Sequence, residues 1–218
     1  MYRMLWTVAA AVGLSLASLG CWASAEEKAS EQEKPKKMTA DVVYVATPHD
    51  VVDKMLRMAK ITKDDVVYDL GCGDGRIVVA AAKRYGCRGI GFDIDDDRYK
   101  ESCENVKKAK VEKLVDIQQE DIFTVDLSKA SVITSYLLPE MNVKLIPQFD
   151  KMKDGSRIVC HDYDIKGVKP DEEIHMTSNE DGVRHGIFLY TLPLKKEKVK
   201  TEEEEDEENE ELEENETQ

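Results

Sequence analysis

From about Asp41 to Leu194, short apolar runs of strand type alternate with stretches whose apolar residues recur every three or four positions. This is the pattern of a parallel sheet covered by helices. Thr47 followed by Pro48 predicts a helix start, with the hydroxyl capping free amides and the proline at the first helical position. Val52, Met55, Leu56 and Ala59 then line one face. Val66–Leu70 reads as a short buried strand that Gly71–Gly75 break, and Ile77, Val78, Ala81 and Ala82 give the next helix its apolar face. Gly89–Asp93 is a second strand, followed by a helix marked by Tyr99, Cys103 and Val106; Leu114–Gln118 and Ala130–Ser135 are the third and fourth strands. Pro139 opens a helix carrying Met141, Leu145 and Phe149, which Pro147 is expected to bend or shorten. Ser156–His161 makes a fifth strand, and Glu173–Thr177 and Val183–Leu192 flank a turn at Asn179–Gly182, an antiparallel hairpin closing one edge. Asp162–Asp171 lacks helical periodicity and reads as a loop where the alternation calls for a helix. No internal repeat is present, and 218 residues suit one domain plus tails.

The ends of the chain change the meaning of its charge. The formal net charge is -14, but Thr201–Gln218 holds twelve acids and no base; without them 31 Lys and Arg stand against 33 Asp and Glu, a net charge of -2. The acidity belongs to a charged tail, residues 195–218, which is expected to be disordered because it cannot bury enough apolar surface and repels itself. At the other end, Arg3 precedes an uncharged stretch from Met4 to Ala25, and Glu26–Ala40 forms a charged linker. Residues 1–25 therefore read as a secretory leader, with small residues Ala23 and Ala25 positioned for cleavage before Glu26, or as a retained anchor long enough to cross a bilayer. Export or membrane association through this segment is the expected location, with the side of the membrane open. Cys72, Cys87, Cys103 and Cys160 remain after cleavage; they form no CxxC, so no metal site is expected, and three full disulfide pairings are allowed. Buried free thiols are the plainer reading.

Chemistry concentrates at Asp69-Leu70-Gly71-Cys72-Gly73-Asp74-Gly75, between a strand and a helix. Ligands of open parallel sheets bind beyond the carboxyl ends of the strands, where glycine lets the backbone turn sharply and approach a ligand. A dinucleotide fingerprint reads GxGxxG; here the spacing is GxGxG, Arg76 stands at the third glycine position, and an acid precedes the run. That acid suits a ligand with an ammonium group and disfavours a pyrophosphate, so a nicotinamide enzyme is the lesser reading. Asp93 lies 22 residues after Gly71, close to the interval of about 20 residues expected of a carboxylate that grips ribose hydroxyls. Ile94 offers an apolar face to an adenine ring, and Asp121, followed by Ile122, places another acid on the same sheet edge. Asp93 or Asp95 can instead cap the helix beginning near Asp96, and Asp121 can be a solvated loop acid.

These motifs resemble those of the class I (seven-strand) SAM-dependent methyltransferases, and the resemblance spans about Asp41 to Leu194. It implies an α/β fold, a Rossmann-like seven-stranded mostly parallel sheet with helices on both faces and an antiparallel C-terminal hairpin. It also implies S-adenosyl-L-methionine (SAM) as cofactor, with the backbone at Gly71, Cys72, Gly73 and Gly75 and the carboxylate of Asp69 holding the methionine part, Asp93 the ribose, Ile94, Asp121 and Ile122 the adenine, and Tyr44 closing over the ligand. Tyr44-Val45-Ala46-Thr47-Pro48, Asp74-Gly75-Arg76 and Tyr136-Leu137-Leu138-Pro139 carry a narrower similarity to leader-bearing bacterial methyltransferases and, distantly, to mitochondrial seven-strand protein-lysine methyltransferases. The Asn-Pro-Pro-Tyr motif of amide and DNA amino methyltransferases is absent, and the near-neutral domain lacks the basic excess of nucleic-acid binders, so no nucleic acid is expected as partner.

Methyl transfer from a sulfonium is an in-line displacement, so alignment in a water-poor pocket supplies most of the catalysis. An amine acceptor must lose a proton, and Tyr136, Glu140 and Asp162, at the ends of the fourth and fifth strands, are the candidate catalytic residues; His161 reads as structural. The expected reaction is N-methylation of a protein lysine or of a small molecule. A non-catalytic SAM-binding module that regulates or tethers is the alternative.

Overall fold

The structure, a computed structural model, describes residues 44–197. The leader, the linker, residues 41–43 of the expected domain and the tail from residue 198 lie outside the described residues, and so do the readings placed on them. Helix α1 (His49–Met58) leads into β1 (Val66–Leu70), α2 (Arg76–Tyr85), β2 (Arg88–Phe92), α3 (Asp96–Ala109), β3 (Val115–Gln118), β4 (Val132–Ser135), α4 (Pro139–Phe149), β5 (Arg157–His161), β6 (Glu172–Thr177) and β7 (Arg184–Thr191). The seven strands form one sheet in the order β3-β2-β1-β4-β5-β7-β6, parallel except for β7, which runs antiparallel to both β5 and β6. Strand order reverses between β1 and β4, which puts the ligand crevice of such a sheet at their carboxyl ends.

Alternation along the buried strands sends successive side chains to opposite cores. Val67, Val132, Val159 and Ile187 join Val52, Met55 and Leu56 of α1 and Ile77 and Ala81 of α2 on one face. Tyr68, Ile133, Ile158 and Tyr190 join Leu145 and Phe149 of α4 on the other. Helices α2 and α3 cover β3 through Val78, Ala82 and Val106.

Three local expectations are corrected. Thr47 does not cap α1: Pro48 occupies the cap position, no side chain caps the helix, and the buried Thr47 hydroxyl lies 3.0 Å from Nδ1 of His161. Pro147 does not shorten α4, which runs on through it to Phe149, the last apolar position expected on that helix. Lys195 and Lys196, assigned to the tail by composition, are tied to the domain: Val168 bridges Lys196, Lys195 pairs with Asp171, and Lys196 Nζ lies 2.7 Å from Asp150. The loop expected after β5 is present, and all four cysteines among the described residues are free, three of them buried.

Candidate active site

Gly71, Gly73 and Gly75 all adopt left-handed backbone conformations (φ +74°, +55° and +77°), so the chain reverses tightly between β1 and α2. At Gly73 the need is twofold, since a β-carbon there would also run into the Tyr44 ring. Gly91, in the neighbouring strand, leaves room for Cys72: a β-carbon at Gly91 would stand 2.8 Å from its sulfur. The bend is fastened from three sides. Asp93 Oδ2 accepts from the Gly73 amide at 2.8 Å, and its other oxygen accepts from the Asp95 amide at 2.9 Å. Gly71 and Cys72 amides both donate to the Phe92 carbonyl. Asn105 of α3 donates to the Asp74 carbonyl at 3.0 Å.

Two buried carboxylates therefore flank the bend. Asp69 is 2 % exposed and accepts one side-chain hydrogen bond, from Thr134 at 2.7 Å. Burial pushes its carboxyl up to about 7, against the Thr134 bond and with the charges of Asp74 and Asp93 adding to the rise. Asp93 is also raised by burial, opposed by its two amide bonds. Each carboxylate oxygen retains a further lone pair, and a cationic or hydroxyl-bearing ligand would offset the burial that both groups suffer. Asp74 differs: burial disfavours its charge, but bonds from Arg76 Nε (2.9 Å) and Nη2 (2.7 Å) and the guanidinium charge hold its pKa below the usual range. Arg76 also donates to the Thr47 carbonyl at 2.9 Å, tying the bend to the segment before α1. Tyr44, on that segment, sits over the bend with the Arg98 guanidinium 5.1 Å from its ring centre; burial first, then Asp74, pushes its hydroxyl up to about 12.

Beyond the bend opens a cleft of about 580 Å³, lined by Tyr44, Asp69, Gly71, Cys72 and Asp93 at one side and by Ile94, Asp121, Ile122 and Tyr136 at the other. Nine of the thirteen expected site residues thus share one cavity. Gly73 and Gly75 shape the bend without lining it; Glu140 is exposed in the first turn of α4, outside the lining, and Asp162 lies behind Tyr136. Asp121 is exposed and closes its own turn by accepting from the Phe123 amide at 2.9 Å. Asp95, not Asp93, caps α3, accepting from the Asp97 and Arg98 amides.

At the acceptor end, the Tyr136 ring packs on that of His161 with centroids 4.1 Å apart, and burial, then the Asp162 charge and a hydrogen bond to it, push the phenol up to about 12. Tyr136 therefore stays a neutral phenol at ordinary pH. His161 is fully buried and its pKa falls to about 4, chiefly through desolvation. His185, held by bonds to Asp162 and Asp181, is raised despite partial burial. Sequence reading named Tyr136, His161 and Asp162 but missed His185 and Asp181 beside them, and the Asp74–Arg76–Thr47 link. The signal for the link was present, since those residues sit in the Tyr44–Pro48 and Asp74–Arg76 stretches that carry the narrower similarity. His185 shows only as a lone polar residue beside an apolar strand run.

The comparisons fit this geometry. A protein-lysine N-methyltransferase of Saccharolobus islandicus (strain REY15A) is 42% identical over 154 residues, which is 69% of this chain and 94% of the relative. The ANTKMT methyltransferase domain matches residues 69–172. The chain belongs to the family of this protein-lysine N-methyltransferase, within the class I SAM-dependent methyltransferases. A solved structure described as an RNA methyltransferase from Salinibacter ruber, in complex with S-adenosyl-L-homocysteine, is 40% identical and superposes with a TM-score of 0.63 over 72% of this methyltransferase and 97% of that chain. A ribosomal protein L11 methyltransferase of Alkaliphilus oremlandii is 35% identical over 85 residues, 39% of the methyltransferase and 27% of the relative. The cofactor of the methyltransferase is SAM, and the cleft suits it: a buried, singly bonded carboxylate at Asp69 matches a cationic ligand, and the bend lines the cleft at Gly71 with no side chain.

Proposed function

We propose that this methyltransferase transfers the methyl group of SAM to the side-chain amine of lysine in a protein. The observation that carries the reading is the charge of the cleft: seven carboxylates line it against three basic side chains, Arg76, Arg98 and Lys144. Arg76 is already spent on Asp74. Such a wall attracts a cationic acceptor and repels a phosphate backbone, whose binding rests on Lys and Arg. The lysine methyltransferase relative supports the same acceptor.

In this reading Asp69 grips the ammonium of SAM, the backbone at Gly71, Cys72, Gly73 and Gly75 its methionine portion, Asp93 the ribose hydroxyls, and Ile94, Asp121 and Ile122 the adenine, with Tyr44 closing over the bend. SAM supplies a methyl group on a positively charged sulfur. Leu138 and Met141 give the acceptor side apolar walls, which disfavour the ammonium form of an entering lysine. Tyr136 donates to Asp162 and keeps an oxygen lone pair for the amine, orienting it toward the methyl carbon. Asp162 acts through Tyr136. Glu140, exposed on α4, is placed to meet a basic segment of the acceptor protein. The leader brings the domain to a membrane surface or carries it across; a reporter fused after Gln218 reads which side it reaches.

Purified methyltransferase incubated with isotope-labelled SAM and a cell extract tests the acceptor. The expected label resists ribonuclease, is released by protease and maps to lysine by mass spectrometry. Label that ribonuclease removes supports instead the acceptor class named for the Salinibacter structure and contradicts lysine.

A further inference from the structure

Behind Tyr136, three side chains converge on one point. His161 Nε2 lies 2.9 Å from His185 Nδ1, His185 Nδ1 lies 3.0 Å from Asp162 Oδ2, and Asp162 Oδ2 lies 3.4 Å from His161 Nε2. Divalent transition metals bind imidazole nitrogen and carboxylate oxygen at about 2.0–2.2 Å, and tetrahedral ligation at such bond lengths separates the ligand atoms by about 3.3 Å. The observed triangle is close to that size.

The outward nitrogens of the two rings argue in the same direction. His185 Nε2 faces Asp181 Oδ2 at 3.2 Å, and His161 Nδ1 faces the Thr47 hydroxyl at 3.0 Å. Carboxylates, which only accept, face both nitrogens of His185, and a neutral ring that carries its hydrogen on Nε2 toward Asp181 leaves Nδ1 as a lone pair. That Nδ1 lone pair points at the Asp162 carboxylate and at His161 Nε2. Nε2 bears a lone pair as well when the His161 hydrogen sits on Nδ1 and is accepted by the Thr47 hydroxyl; in this pair of tautomers three acceptors converge in a largely buried place. In that arrangement a positive charge between them is stabilising. A proton on Nδ1 relieves this by making His185 an imidazolium, shared among two acceptors; a metal ion satisfies all three donor atoms at once. Oxygen partners on the far side of ligating histidines are the usual second layer of a metal site. Two charges, Asp162 and Asp181, also match a dication.

The ligands are held in place beforehand. Asp162 has a left-handed backbone (φ +59°), a conformation uncommon outside glycine. It is locked by its amide donating to the Gly186 carbonyl at 2.8 Å and its Oδ1 accepting from the Gly186 amide at 3.0 Å. His161 ends β5 and His185 stands near the start of β7, paired through the register that sets His161 opposite Ile187. We propose that His161, Asp162 and His185 form a binding site for one divalent transition-metal ion, of the class that imidazole and carboxylate ligands favour. The ion clamps the end of β5 to β7 and, through Asp162, fixes the Tyr136 hydroxyl at the acceptor end of the cleft. The site is independent of which acceptor the enzyme takes.

Isothermal titration of the full chain, stripped with chelator and then titrated with zinc chloride, tests the proposal. The expected result is one saturable site per chain with a dissociation constant below about 1 µM, and a higher unfolding midpoint with zinc present. His185→Gln and Asp162→Asn each weaken zinc binding by at least about tenfold, while SAM affinity, read in the same samples, shows that the variants fold. The double variant of the exposed histidines, His49→Gln with His175→Gln, leaves zinc binding unchanged. Absence of saturable binding below about 100 µM, or equal affinity in the wild type and the two ligand variants, overturns the site and leaves His185 as an imidazolium between two carboxylates.

Discussion

Asp69 is buried on the sheet with a single side-chain hydrogen bond, and its pKa of about 7 stands well above the carboxylate range. A group whose folded pKa is raised contributes stability below its unfolded pKa and loses it as pH rises through the folded value. Without SAM, the wild type should therefore lose stability relative to Asp69→Asn between about pH 4 and pH 7, by an amount on the order of 4 kcal/mol at full ionisation. Unfolding midpoints of both proteins across that window check this, and parallel curves would contradict it. Tyr136 acts at the other end of the cleft. Tyr136→Phe keeps the ring on His161 but removes the hydroxyl, so kcat should fall by about 10- to 100-fold with SAM affinity within about twofold, as measured by single-turnover kinetics beside SAM titration. Both residues could be singled out from sequence, but what distinguishes them could not. That Asp93 spends one lone pair on the Gly73 amide, or that Tyr136 leans on a buried histidine 25 residues away, depends on strand order, which no local spacing encodes.

Elements were legible where burial leaves a mark on the chain. All seven strands were placed within one or two residues of their bounds: the inner ones are apolar runs because strands covered on both faces exclude polar residues, whereas the exposed edge strand β6 shows through the turn that joins it to β7. The loop after β5 was legible for the opposite reason, its missing periodicity. The errors lie where a tertiary partner overrides a local preference. Thr47 looks like a cap from its neighbours, yet its hydroxyl is claimed by His161 from β5. Lys195 and Lys196 look like the start of a tail, yet Asp171 and Asp150 hold them. The segment Tyr44–Thr47 is likewise tied to the bend by Arg76, which joins Asp74 to the Thr47 carbonyl beside the Thr47–His161 and Arg98–Tyr44 contacts. Arg76→Met should raise hydrogen exchange in residues 44–48 and weaken SAM by about three- to tenfold, the scale of one lost charge-assisted hydrogen bond. Unchanged exchange there would show that the segment is held by other contacts.

Across the whole molecule the two ends of the sheet have separate tasks. The carboxyl ends of the strands carry the cleft, while at the amino ends Asp65 collects the Thr62 amide and hydroxyl, the Ser131 hydroxyl and Arg157, which also donates to the Ala59 carbonyl at 2.7 Å. This network joins α1, β1, β4 and β5 far from the chemistry. Arg157→Met leaves Asp65 buried beside an apolar chain and should cost about 2–4 kcal/mol in denaturant unfolding, with SAM affinity unchanged; a parallel loss of SAM binding would mean the two ends are coupled. Alternation pointed to a parallel sheet covered by helices, while the seven-stranded architecture and the cofactor came with the family resemblance that the glycine bend and its acids carry. The acceptor class did not, because it rests on the summed charge of side chains drawn from β1, the loops after β1, β2 and β3, and helices α2, α3 and α4.

The grip of Asp69 on the ammonium of SAM is the claim on which the rest stands, and calorimetric titration of SAM at pH 6 and pH 8 tests it directly. With a carboxyl pKa of about 7, affinity of the wild type should rise about tenfold from pH 6 to pH 8 as the carboxylate ionises, and Asp69→Asn should bind at least about tenfold more weakly at pH 8 with no such rise. Equal affinity of the two proteins at pH 8, or a wild-type affinity that does not change with pH, would contradict the account.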